Sequence, residues 1–134
     1  VLRGLHYQLP PYAQTKLVSV QEGCVLDVAL DIRNGSPTFG QHVAVELSAE
    51  NRRQLFIPRG FAHGFVVLSD IAIFSYKVDN YYSPNHERGI AFNDPSLSIN
   101  WKLKTEELNY SKKDLNNPML ANADCFNFNI NQYD

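Results

Sequence analysis

At 134 residues, 44% hydrophobic and 12% aromatic, the chain has the length of one domain with a real core and no room for a separate cofactor domain. A net charge of −2 lacks the basic excess that nucleic-acid binding needs, and no apolar run approaches the roughly 20 residues that cross a bilayer. These figures point to a cytoplasmic protein whose partner is a small molecule or a second copy of itself, with no nucleic-acid or membrane role. Cys24 and Cys125 stand far apart and outside any CxxC spacing, so both read as free thiols.

The chain opens at Val1, without Met, directly on a β-patterned stretch, Leu2-Arg3-Gly4-Leu5-His6-Tyr7-Gln8, as though an upstream segment were missing. After a proline-rich turn comes Gln14-Thr15-Lys16-Leu17-Val18. Together the two stretches supply a guanidinium that can grip a phosphate bidentately, an imidazole that titrates near neutrality, and an ammonium that can hold an oxyanion. The bland alternative is a solvated Arg3 and Lys16 and a hydrogen-bonded core His6.

Period-2 alternation predicts strands over Lys16 to Val20 and over 25–32, where Leu26, Val28, Leu30 and Ile32 form a core face and Asp27, Ala29 and Asp31 a polar one. Asn34-Gly35-Ser36-Pro37 reads as a turn. A half-buried strand follows, with Val43, Val45 and Leu47 opposite His42, Ala44 and Glu46. Further strands are expected at 54–57, 65–69 and 72–78. Pro58-Arg59-Gly60 would deliver His63 onto the start of one of them, the way cupin barrels aim a side chain inward. Short strands broken by Gly, Pro, Asn and Asp indicate an all-β jelly-roll cupin barrel or sandwich. After Trp101, Thr105 to Leu108 and Ser111 to Asp114 read as short helical turns with capping-type starts, packed against the barrel as an appendage. Phe126 and Phe128 alternate in the asparagine-rich tail, as either a last edge strand or a loose end.

Metal-binding cupins supply His-x-His and a carboxylate, whereas this chain has His6-Tyr7-Gln8; His6, His42, His63 and His86 do not complete a ligand set by pattern. Tyr76 alternates with Ala72, Phe74 and Val78 and by pattern alone is a core tyrosine with a bonded hydroxyl.

The stretches Leu2 to Gln8, Gln14 to Val18, Asp27 with Asp31-Ile32-Arg33, Ser36-Pro37-Thr38-Phe39-Gly40, Phe56 to Phe65, Ser75-Tyr76-Lys77 and Phe92-Asn93-Asp94-Pro95 resemble, in order, the dTDP-4-dehydrorhamnose 3,5-epimerase family. The resemblance runs from Val1 to about Pro118. It implies a metal-free, cofactor-free jelly-roll cupin, usually a homodimer, that inverts C3 and C5 of dTDP-4-keto-6-deoxy-D-glucose on the route to dTDP-L-rhamnose. By the same resemblance His6 is the base, Asp114 holds its other ring nitrogen, and Tyr76 is the acid on the opposite face. Lys16 and His63 surround O4 and the ring hydroxyls, Asp27 keeps Lys16 charged and aimed, and Arg3 binds the diphosphate. Tyr82 and Glu87 line the nucleotide or sugar pocket, and Lys113 reaches toward the substrate. The family's N-terminal segment has no counterpart in this sequence, and Phe92 stands where the family often has Trp. Readings that compete on the same groups are a mono-epimerase, a 3,4-ketoisomerase, a non-catalytic sugar-binding cupin and a metal-dependent cupin.

Overall fold

A computed structural model describes residues 1–134 apart from the side chain of Thr105. Ten strands and one short helix follow the chain as β1 (Leu2–Gln8), β2 (Lys16–Glu22), β3 (Cys24–Asp31), β4 (Arg33–Asn34), β5 (His42–Ser48), β6 (Gln54–Ile57), β7 (Phe61–Val67), β8 (Ile73–Val78), β9 (Glu87–Gly89), α1 (Lys112–Leu115) and β10 (Phe126–Asn127). A five-stranded sheet in the order β5-β3-β7-β1-β9 faces a three-stranded one, β6-β2-β8, and β10 lies parallel to β4. The architecture is the expected jelly roll. No helix among the described residues is long and apolar enough to cross a membrane.

Two cores explain why β3 departs from its expected half-buried pattern. Leu26, Val28 and Leu30 pack with Phe92, Leu97, Trp101, Leu120 and Phe126 under one face of the large sheet, while Val25 and Ala29 pack with Val18, Val20, Leu47 and Ile57 between the sheets. The face carrying Asp27, Ala29 and Asp31 is therefore buried rather than polar surface. The turns expected after Trp101 form at Thr105–Glu107 and Lys112–Leu115, with Leu108 and Tyr110 packed against the first core, and Leu120 and Phe126 of the tail complete that core. The tail resolves into a short edge strand.

Strand β1 carries the irregularity that builds the site. Its register with β7 runs Leu2 opposite Val66 and Arg3 opposite Phe65, then jumps to His6 opposite His63. Gly4 and Leu5 thus oppose Gly64 alone, which is a β-bulge. An odd spacing would normally send Arg3 and His6 to opposite faces; the extra residue turns both toward the space between the sheets, while Leu2, Leu5 and Tyr7 stay in the first core. Gly4 is required there, because its φ is +127° and a Cβ would come within 2.6 Å of Gly64 Cα.

Strand β7 begins at Phe61, so His63 sits inside the strand and not at its start. The turn before it is held by Arg33, whose side chain fills the space over Gly60 and stacks on Phe61 and Phe128, with its guanidinium carbon 4.8 and 5.0 Å from the ring centroids. Arg33 in turn donates to Asp31 from Nε and Nη2, both at 2.9 Å, and Ser36 and Thr38 add hydroxyl donors at 2.7 and 2.5 Å. Burial pushes the Asp31 carboxyl up, but these donors win and hold it well below the usual carboxylate range. The Asp31-Ile32-Arg33 and Ser36-Pro37-Thr38 motifs are in this way a staple on the turn that leads to His63.

Candidate active site

Two adjoining cavities of about 280 Å³ each open between the sheets, and His6, Lys16 and Tyr76 line both. One is completed by Arg3, His63, Phe65 and Phe74, the other by Gln14, Tyr82 and Glu87 among others. Five strands, β1, β2, β7, β8 and β9, therefore converge on one space.

His6 Nε2 lies 2.5 Å from Asp114 Oδ1, and the Asp114 side chain is wholly buried. Ser111 makes that placement possible, because its hydroxyl accepts the backbone N–H of Asp114 at 3.1 Å and caps the single turn of α1. With Nε2 donating to the carboxylate, Nδ1 is left with a free lone pair. Burial lowers the His6 pKa, Asp114 opposes that shift, and Lys113 and Lys16 add to it, so the ring is neutral at neutral pH. A neutral imidazole oriented by a buried carboxylate is equipped to accept a proton.

A second dyad lies beside the first. His63 is the register partner of His6, and its Nε2 is 2.6 Å from Asp27 Oδ1. Burial lowers the His63 pKa against the pull of Asp27. Asp27 is inaccessible to solvent, and among the described residues its Oδ2 has no hydrogen-bond partner. Asp27 was expected to hold Lys16, but its hydrogen bond goes to His63; it acts on Lys16 only through space. Desolvation brings the Lys16 ammonium down to about 8, with Asp27 pulling it back up.

Tyr76 departs from its pattern-based reading. It is 58% exposed, because β8 is an edge strand hydrogen-bonded only to β2 among the described residues, and Lys16 Nζ lies 5.9 Å from its ring centroid. The alternation that suggested a core tyrosine describes a face that runs out of covering strand at the cavity mouth. Phe74, two residues earlier, does remain covered, stacked on Phe65 at 4.5 Å.

Arg3 is exposed at the rim of the cavity, and its guanidinium donates only to the neighbouring Leu2 carbonyl among the described residues. Tyr82 stands exposed at the mouth, with Glu87 beside it. Lys113 forms an ion pair with Glu87 rather than projecting freely. All ten residues singled out in the sequence thus meet in or against one site. His42 and His86 lie elsewhere, the latter bonded to the Ser83 hydroxyl at 2.7 Å. Among the described residues no group of three or more His, Cys, Asp or Glu is placed to hold a metal ion.

Sequence reading passed over Phe65, Phe74 and Gln8. The i, i+2 spacing of the two phenylalanines with His63 and Tyr76 was the available signal for an aromatic wall. Gln8 is buried; its amide donates to the Tyr12 and Tyr81 carbonyls at 2.7 and 3.0 Å and accepts from Ser83 N–H at 2.8 Å, which anchors the loop that presents Tyr82. Nothing in the local pattern marks that role.

A family model described as dTDP-4-dehydrorhamnose 3,5-epimerase matches residues 1–122. The enzyme of that name from Shigella flexneri is 59% identical over 126 residues, covering 94% of this chain and 68% of the relative. A crystal structure of dTDP-6-deoxy-D-glucose-3,5-epimerase from Legionella pneumophila, in complex with dTDP-4-keto-L-rhamnose, superposes with a TM-score of 0.91 at 52% identity over 96% of this chain and 69% of that one. A 3′-monoepimerase from Streptomyces bikiniensis, solved with dTDP-quinovose, gives 0.81 at 35% identity over 90% of this chain and 61% of that one. The chain spans about two thirds of the length of these relatives. With the jelly roll, the motifs in order and the match over residues 1–122 agreeing, the chain belongs to the dTDP-4-dehydrorhamnose 3,5-epimerase family, isomerases of dTDP-rhamnose biosynthesis.

Proposed function

We propose that this chain inverts C3 and C5 of dTDP-4-dehydro-6-deoxy-D-glucose to give dTDP-4-dehydro-L-rhamnose, with His6 as base and Tyr76 as acid. The observation that carries the reading is the buried His6–Asp114 dyad opening on the same cavities as Lys16 and Tyr76. Both target protons flank the C4 ketone. When His6 Nδ1 takes one of them, the C–H electron pair moves into the carbonyl and leaves an enolate with its charge on O4, where the Lys16 ammonium stabilises it. Tyr76 then gives its phenolic proton to the carbon from the other face, and the exposed phenolate recovers a proton from water while His6 releases its own. Neutral His63, with Nε2 turned to Asp27, presents Nδ1 as an acceptor for a ring hydroxyl. Arg3 suits the diphosphate, and Tyr82, Glu87 and Lys113 the nucleotide end at the mouth.

Incubation with the 4-keto sugar nucleotide in D2O tests the reading, since each inversion passes through an enolate that exchanges with solvent. Deuterium at both C3 and C5 is expected; label at C3 alone would make this chain a mono-epimerase like the Streptomyces relative, and label at neither would refute catalysis. A nucleoside-diphosphate sugar as substrate puts the reaction in the cytoplasm, where such pools are made. A homodimer belongs to the same reading, supported by Phe56 and Ile73 standing exposed on the small sheet; light scattering at the mass of one chain would contradict it.

A further inference from the structure

Residues 123–134 lie beyond the family match, yet the tail makes specific contacts next to the site. From β10 it runs past the turn between β6 and β7 and reaches the residue before Lys16. Arg59, in that turn, is 17% exposed; its Nη1 donates to the Gln132 carbonyl at 2.9 Å, its Nη2 pairs with Asp79 Oδ2 at 3.3 Å, and its guanidinium carbon lies 4.8 Å from the Tyr133 ring centroid. The backbone N–H of Arg59 donates to the Tyr133 hydroxyl oxygen at 3.1 Å. The same hydroxyl lies 2.8 Å from Thr15 Oγ1, in a hydrogen bond that either hydroxyl can donate. Thr15 is also held from the other side, where its N–H donates to Asp79 Oδ1 at 2.8 Å and its carbonyl accepts from Asp79 N–H at 3.3 Å.

We infer that Tyr133 is a positioning residue for Lys16: clamped by Arg59, its hydroxyl pins Thr15 and thereby fixes the first residue of β2 in the active site. The inference rests on the proposed role of Lys16 at O4. Lys16 is the first residue of its strand, paired with Ile57 on one side and Val78 on the other, and the end of a strand is held less firmly than its middle unless the segment before it is also tied down. An ammonium on a four-carbon stem can be aimed only as well as its backbone is fixed, and displacement by about 1 Å can cost on the order of 100-fold in rate. The tail and the Arg59 turn add to the ladder a fixation from outside the sheet.

Tyr133→Phe keeps the ring on Arg59, changes no charge and removes only the hydroxyl; Thr15→Val removes the same bond from its other end. The charged and titratable groups around Lys16 are His6 on β1, Asp27 on β3, His63 on β7, Tyr76 on β8 and Glu87 on β9, and neither substitution touches them. A Lys16 released from its place gains water, so its titration midpoint, followed by NMR of lysine ε-13C in the full chain, should rise from about 8 toward the ordinary lysine value in each variant. In the same variants kcat should fall roughly 10- to 100-fold with KM within about threefold. The double variant should be no worse than either single one. An unmoved or lowered Lys16 midpoint in both single variants, or additive losses in the double, would overturn the inference. If the unsubstituted chain places no deuterium in the sugar, the proposed reaction fails while the titration still decides whether Tyr133 positions Lys16.

Discussion

Asp114→Asn removes one negative charge from a wholly buried position 2.5 Å from His6 Nε2 and changes no shape. Two separate losses follow. At an effective dielectric near 20, a unit charge pair at about 4 Å is worth about 4 kcal/mol; His6 is one quarter exposed, so roughly half of that is lost with the charge, which lowers the basicity of His6 further. The amide also gives the wrong tautomer, because an asparagine N–H pointed at Nε2 drives the ring proton onto Nδ1, where the lone pair is needed. A carboxylate-to-amide change in a comparable dyad costs about 10⁴-fold, so exchange of substrate C3 and C5 hydrogens with D2O should slow by roughly 10³- to 10⁴-fold, with the acid limb of the profile moved to lower pH. The Ser111 cap uses the Asp114 backbone and survives, so thermal stability is the control. Exchange within about threefold of the parent, with an unmoved acid limb, would refute His6 as a dyad base.

Tyr76→Phe should leave deuterium exchange intact while inversion falls roughly 10²- to 10⁴-fold, since the proton can then return only from the His6 side; near-normal epimerisation would remove Tyr76 from the mechanism. The kcat/KM profile should be bell-shaped. His6 must be neutral and its pKa is depressed, so activity is lost as pH falls through a value below 6.5; Lys16 must be charged, so activity is lost as pH rises past about 8. A plateau extending to pH 10 would show that the Lys16 charge is not needed. Gly4→Ala should lower stability by about 1–3 kcal/mol in urea titrations, and an unchanged midpoint would contradict the strained bulge.

How much of this was legible in the sequence depended on whether the cause was local. Strands declared themselves by period 2, because alternation reports burial on one face. The same logic misread β3, whose second face is polar in composition yet buried: Asp27 bonds through Oδ1 to a histidine that is 36 positions away and adjacent only once β3 and β7 pair. Tyr76 was misread in the opposite sense, since alternation cannot reveal that an edge strand lacks cover beyond it. The bulge in β1 left one trace, a glycine between Arg3 and His6, and a glycine in a strand has several meanings until its partner Gly64 is known. The tail's contacts with Arg59 and Thr15 join segments more than 70 residues apart and leave no periodic trace at all.

The site divides according to what fixes each group, and the division matches what the reaction asks. His6, His63 and Asp27 stand within paired strands, with His6 and His63 opposite one another in register, so their spacing is set by the hydrogen-bond ladder, and Lys16 opens a strand paired on both sides and held at its start by Thr15. Such groups can be aimed at a developing charge without reorganising when it appears. Arg3, Tyr82 and the Lys113–Glu87 pair stand at the exposed rim, where flexible side chains can follow a nucleotide entering and leaving. Tyr76 belongs to both regions, on a strand but open to water. That position suits a proton donor, which must meet the carbon at a fixed angle and be recharged by solvent before the second centre is inverted.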